Sequence, residues 1–84
     1  MTATFNKWLD TFVEEKGLDL NFVFEVEGRE HGTNFIPLGC VVDFIKNEAD
    51  VTAKNTVKQN LVKIDFMNGD PMDFFLHCAK AIAF

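Results

Sequence analysis

The sequence predicts a mainly α, α+β domain: about four helices with a short β-hairpin between the first and second, and the last helix central. Three observations carry this reading. Apolar residues recur at helical spacing from Phe5 to Val13, they alternate with period two from Leu18 to Glu27, and a helix-start signal at Asp70-Pro71 opens a strongly apolar C-terminal stretch. The 84 residues are read as a single globular domain, 1–84, short enough to sit near the lower end of self-sufficient folding.

The first helix follows from Phe5, Trp8, Leu9, Phe12 and Val13 at i, i+3, i+4, i+7 and i+8, with Asn6, Lys7, Asp10, Glu14 and Glu15 on the other side. Thr2 or Thr4 can cap its start. Gly17 followed by Leu18 has the form of a left-handed C-cap with its apolar clasp.

A strand is expected from Leu18 to Glu27. Leu18, Leu20, Phe22, Phe24 and Val26 make one face, and Asp19, Asn21, Val23, Glu25 and Glu27 make the other, which is mostly acidic. Gly28 to Gly32 reads as a loop, and Thr33-Asn34-Phe35-Ile36 as a second short strand kept extended by Pro37. A two-stranded ribbon is not stable alone, so the hairpin must lie on the helices.

Pro37 suits the first turn of a second helix, whose inward residues are Leu38, Val41, Val42 and Ile45, with Phe44 beside them and Asp43, Lys46 and Asn47 outside. After a polar break at residues 47–50, Asp50 or Thr52 starts a third helix with Ala53, Val57, Leu61 and Ile64 on one side. Residues 61–67 also alternate as a strand would, and Asn68-Gly69 is a hairpin signal. Helix is preferred there, because Asp70-Pro71 opens a helix and leaves such a hairpin without its second strand.

In the last helix Asp70 supplies a capping oxygen, Pro71 gives up no hydrogen bond in the first turn, and Asp73 faces the positive end of the dipole. After Asp73 only His77 and Lys80 are polar. A helix apolar on nearly all sides belongs in a core, and it is too short to span a bilayer.

Composition narrows the function classes. A net charge of −5 disfavours binding to nucleic-acid backbones. The acidity belongs to residues 1–50, with ten acids against four bases, whereas residues 51–84 have three against four. Cys40 and Cys78 are too few for a disulfide scaffold, and no signal peptide or spanning segment is read, so a cytoplasmic setting without membrane contact is expected.

Catalytic chemistry finds little footing. His31 and Cys40 stand apart, and His77 and Cys78 are neighbours whose side chains diverge by about 100° on a helix, so neither a metal site nor a thiol–imidazole pair is expected. Glu25 and Glu27 share a strand face, but paired carboxylates need a cleft that raises one of the two pKa values. No phosphate-cradling glycine loop is present. The helix–turn–helix reading of the last two helices fails on Phe74, Phe75 and Leu76, where basic and polar residues are needed. Lys54, Lys58 and Lys63 read as a modest basic strip on a solvated face. No cofactor and no enzymatic activity are expected.

Ten Phe, one Trp and no Tyr point instead to dry packing. Phe44, Phe66, Phe74 and Phe84, with Met67 and Ile82, fall off the main helical stripes. The resulting expectation is a non-catalytic protein-interaction module with a protein partner or a second copy, leaning to a homodimer through this Phe-rich surface. The alternative is an acidic inhibitor or nucleic-acid mimic, of the kind phages and plasmids encode, that blocks a nucleic-acid-binding enzyme through Asp10, Glu14, Glu15, Glu25 and Glu27. A small thiol or acid–base enzyme is a distant third.

Overall fold

The computed structural model describes residues 2–30 and 32–84, with Thr2 described in its backbone only. The side chain of Thr2, one of the two caps expected for the first helix, and His31 lie outside the described residues. In chain order the elements are α1 (Thr2–Glu15), β1 (Val23–Gly28), β2 (Gly32–Pro37), α2 (Leu38–Asn47), α3 (Val51–Phe66) and α4 (Pro71–Ala83). This is the expected architecture of four helices with a hairpin after the first.

The stripe of α1 behaves as its spacing requires: Phe5, Leu9, Phe12 and Val13 are buried and Trp8 packs half-buried beside them. Thr4 does not cap α1, because the helix already begins at Thr2 and Thr4 stands on its exposed side. The other end matches expectation. Gly17 has φ +63°, the Leu18 amide donates to Val13 O at 3.0 Å, and the Gly17 amide donates to Glu14 O at 3.1 Å. These are the paired hydrogen bonds of a Schellman cap, with Leu18 turned onto the core.

The strand is shorter than its alternation suggested. Pairing begins at Val23, and residues 18–22 form a turn in which the Asn21 amide donates to Asp19 Oδ1 (2.9 Å) and the Phe22 amide to Asp19 O (3.0 Å). The reason is a competing demand on the same backbone. The amides of Leu38 and Gly39, which open α2 and have no intrahelical partner, donate to Phe22 O (2.7 Å) and Leu20 O (2.9 Å). Pro37 therefore sits at the N-cap of α2, not in its first turn, and its lack of a capping oxygen is made good by this loop. The approach is close at Gly39, where an added Cβ would stand 3.3 Å from Leu20 O.

β1 and β2 pair antiparallel, with Phe24 opposite Ile36 and Val26 opposite Asn34. Phe24, Val26 and Ile36 are buried. The intervening pairs, Glu25 with Phe35 and Glu27 with Thr33, belong to the other face by the two-residue period of the strand.

All four inward residues expected of α2, Leu38, Val41, Val42 and Ile45, are buried. α3 runs unbroken through the stretch where strand competed with helix. Asp50 caps it by accepting from the Ala53 amide at 2.7 Å, and Asn68, at φ 59°, ends it, with the Gly69 amide donating back to Ile64 O at 2.7 Å. Val57 and Leu61 are buried, while Ala53 and Ile64 are half-buried.

α4 starts as its sequence demands, Asp70 accepting from the Met72 amide at 2.9 Å with Pro71 next to it. It packs against β1, α2 and α3, which makes it the central helix. Phe75 and Ala79 are buried, and Met72, Phe74, Leu76, Cys78 and Ile82 surround them half-buried. Asp73, His77, Lys80 and Ala81 leave one side of α4 open to solvent. Among the described residues no helix is long and apolar enough to cross a membrane.

Candidate interaction surface

The surplus phenylalanines are placed differently from one another. Phe74 packs against the core and meets the Phe75 ring edge-on, with centroids 6.3 Å apart, so it is not a free surface group. Phe66 is 86% exposed and Phe84 65%, and Phe44 is exposed on α2. Phe66 and Phe84 line different depressions. Phe66 closes the end of an open apolar depression of about 420 Å³ on α3, with Lys58, Gln59, Val62 and Lys63. Phe84 lines a separate depression of about 680 Å³ beside Gly28, Arg29, Glu30 and Asn34. Phe44 lines neither.

A third apolar surface was not anticipated. Phe22, Val23 and Phe35, all exposed, line a depression on the hairpin with Phe24, Glu25 and Leu76. The signal was present in Phe35-Ile36: two adjacent apolar residues in a strand cannot both point inward, and Ile36 takes the core position. Alternation places Phe22 on the inner face of a strand, but the strand begins one residue later and leaves Phe22 exposed.

The acidic residues divide into two groups. Glu25 and Glu27 are exposed on the hairpin. Glu14 and Glu15 are exposed on α1, and Asp10 is ion-paired with Lys46 of α2. Asp10, Glu14, Asp43 and Lys46 rim a cleft of about 430 Å³ between α1 and α2, floored by Val13, Leu18, Leu20 and Val42. Lys16 and Asp65 form a second ion pair, between the ends of α1 and α3.

The expected basic strip is broken. Lys54 is buried, with 6% exposure, and its Nζ donates to Lys46 O at 2.6 Å while lying 5.6 Å from the Phe5 ring centroid. It faces inward because the first turn of α3 packs where α2 ends. Lys58 and Lys63 remain on the surface, Lys58 with its Nζ 5.7 Å from the Trp8 ring centroid.

The thiols are separate and unpaired. Cys40 is exposed, whereas Cys78 is half-buried, and burial pushes its thiol up to about 11. A thiol so shifted is a poor nucleophile near neutral pH. His77, its neighbour, is exposed. Among the described residues no three His, Cys, Asp or Glu side chains gather where they could hold a metal ion.

The fold thus defines a small α+β domain of four helices and one hairpin, whose most prominent surface features are apolar patches with charged borders. Compared with known proteins, the chain matches no family model, no curated protein and no solved structure.

Proposed function

We propose that this chain is a non-catalytic protein-interaction module of the cytosol that associates with itself through its exposed apolar side chains. The observation that carries the reading is at the end of α3, where Val62 and Phe66 stand one helical turn apart, both exposed, with Met67 exposed next to them. Burying one phenylalanine side chain is worth roughly 1.5–3 kcal/mol, and so small a domain gains core by pairing. Isolated apolar residues are ordinary on protein surfaces, whereas a contiguous exposed group supports an interaction reading.

The acidic-mimic alternative has less behind it. Asp10 is partly neutralised by Lys46, which leaves Glu14 and Glu15 on α1 and Glu25 and Glu27 on the hairpin as its free carboxylates. A thiol enzyme has less still, given the half-buried Cys78 with its raised pKa.

The test is native mass by light scattering across a dilution series at moderate and at high salt, on the whole chain and on Phe66→Ser. Self-association predicts a dimer or larger particle that Phe66→Ser weakens. A monomer at every concentration would overturn the proposal.

A further inference from the structure

We propose that the association is head-to-tail: the α3 face bearing Lys58, Val62, Lys63 and Phe66 in one copy seats on the hairpin face bearing Val23, Glu25, Glu27 and Phe35 in the next. This rests on the self-association reading and specifies its geometry.

Both faces carry exposed apolar residues beside charged ones, and the charges are opposite. At about 100° per residue, Val62 and Phe66 fall between Lys58 on one side of the helix surface and Lys63 on the other. The result is an apolar ridge with a cation along each flank, and each of these four residues is exposed. On the hairpin, Phe35 lies directly opposite Glu25, and Glu27 follows two residues on, on the same side of the strand. The pairing of Val23 with Pro37 extends that surface toward α2. Phe35 is 64% exposed, the counterpart of Phe66 at 86%.

The two depressions share no lining residue, so one copy can offer both faces at once.

Charge decides against the symmetric arrangements. Two α3 faces meeting across a twofold axis would bring four lysines together, and two hairpin faces would bring together four glutamates. Only the pairing of unlike faces brings carboxylates toward ammonium groups while covering both phenylalanines. Such a heterologous contact leaves one face free at each end, so it either closes into a ring or continues as a chain.

The experiment uses Phe35→Asp and Phe66→Asp, each spoiling one face and leaving the other intact, with folding checked by circular dichroism and urea unfolding. Light scattering and sedimentation should find the unaltered chain assembling with concentration and dissociating with added salt. Each variant alone should be monomeric, its association weakened about tenfold or more. An equimolar mixture should form a 1:1 dimer that grows no further.

A second pair, Lys58→Glu/Lys63→Glu and Glu25→Lys/Glu27→Lys, should fail to assemble separately and assemble when mixed. If the unaltered chain is monomeric throughout, both this inference and the self-association reading fall. If it assembles while Phe35→Asp assembles equally well, or while neither mixture restores association, the head-to-tail geometry falls and self-association stands.

Discussion

The ammonium of Lys54 donates to the carbonyl oxygen of Lys46 at 2.6 Å, joining the first turn of α3 to the last turn of α2. That carbonyl is among those the end of α2 leaves without an intrahelical donor, and a cation there also meets the negative end of the helix dipole. Below it, the Phe5 ring of α1 faces the same ammonium, so one lysine touches three helices. Lys54→Met keeps the apolar stem and removes the donor. It should lower stability by about 1–3 kcal/mol, read as a shift of the urea midpoint at unchanged slope.

Phe75 and Phe66, nine positions apart, should respond very unequally to substitution. Phe75 is fully buried, and Phe75→Ala should cost about 3–5 kcal/mol, enough to unfold much of so small a domain. Phe66→Ser should change the stability of the monomer by less than about 0.5 kcal/mol. Urea unfolding at low protein concentration separates the two, provided association is absent.

Asn68 holds φ 59°, the left-handed conformation that turns α3 into α4. Asn68→Gly should be neutral within a few tenths of a kcal/mol, since glycine accepts that conformation freely. Asn68→Val should cost about 1–2 kcal/mol, because a β-branched side chain clashes with its own backbone there. Thermal midpoints of the two variants, compared with the unaltered chain, measure the difference.

The two thiols should differ sharply in reactivity. At pH 8 a disulfide reagent should modify exposed Cys40 first, with Cys78 lagging until denaturant is added. Raising the Cys78 pKa from 9.0 to about 11 cuts its thiolate fraction about a hundredfold. The sign for stability follows by linkage: the folded chain holds this proton more tightly than the unfolded one. Its contribution is therefore complete below pH 9 and is lost as pH rises from 9.0 towards about 11. Urea midpoints across that range should fall more steeply for the unaltered chain than for Cys78→Ala.

Much of the fold was legible because it is local. The spacing of Phe5, Leu9 and Phe12, the four inward residues of α2, the carboxylate caps at Asp50 and Asp70, and the Gly17 turn each depend on a few consecutive residues. Helix over strand at residues 61–67 is legible for a similar reason: the Asp70-Pro71 start lies just beyond the turn.

What the tertiary structure alone decided concerns residues whose partners lie far along the chain. Residues 18–22 alternate like a strand, yet they turn, because the amides of Leu38 and Gly39 need their carbonyls. Lys54 has the sequence context of a surface lysine and is buried by the meeting of α1, α2 and α3. Phe66, Phe74 and Phe75 are the same residue type within ten positions, and only the packing of α4 against β1, α2 and α3 separates an exposed ring from a half-buried one and a fully enclosed one. Periodicity reports which side chains share a face of an element; whether water reaches that face depends on what folds against it.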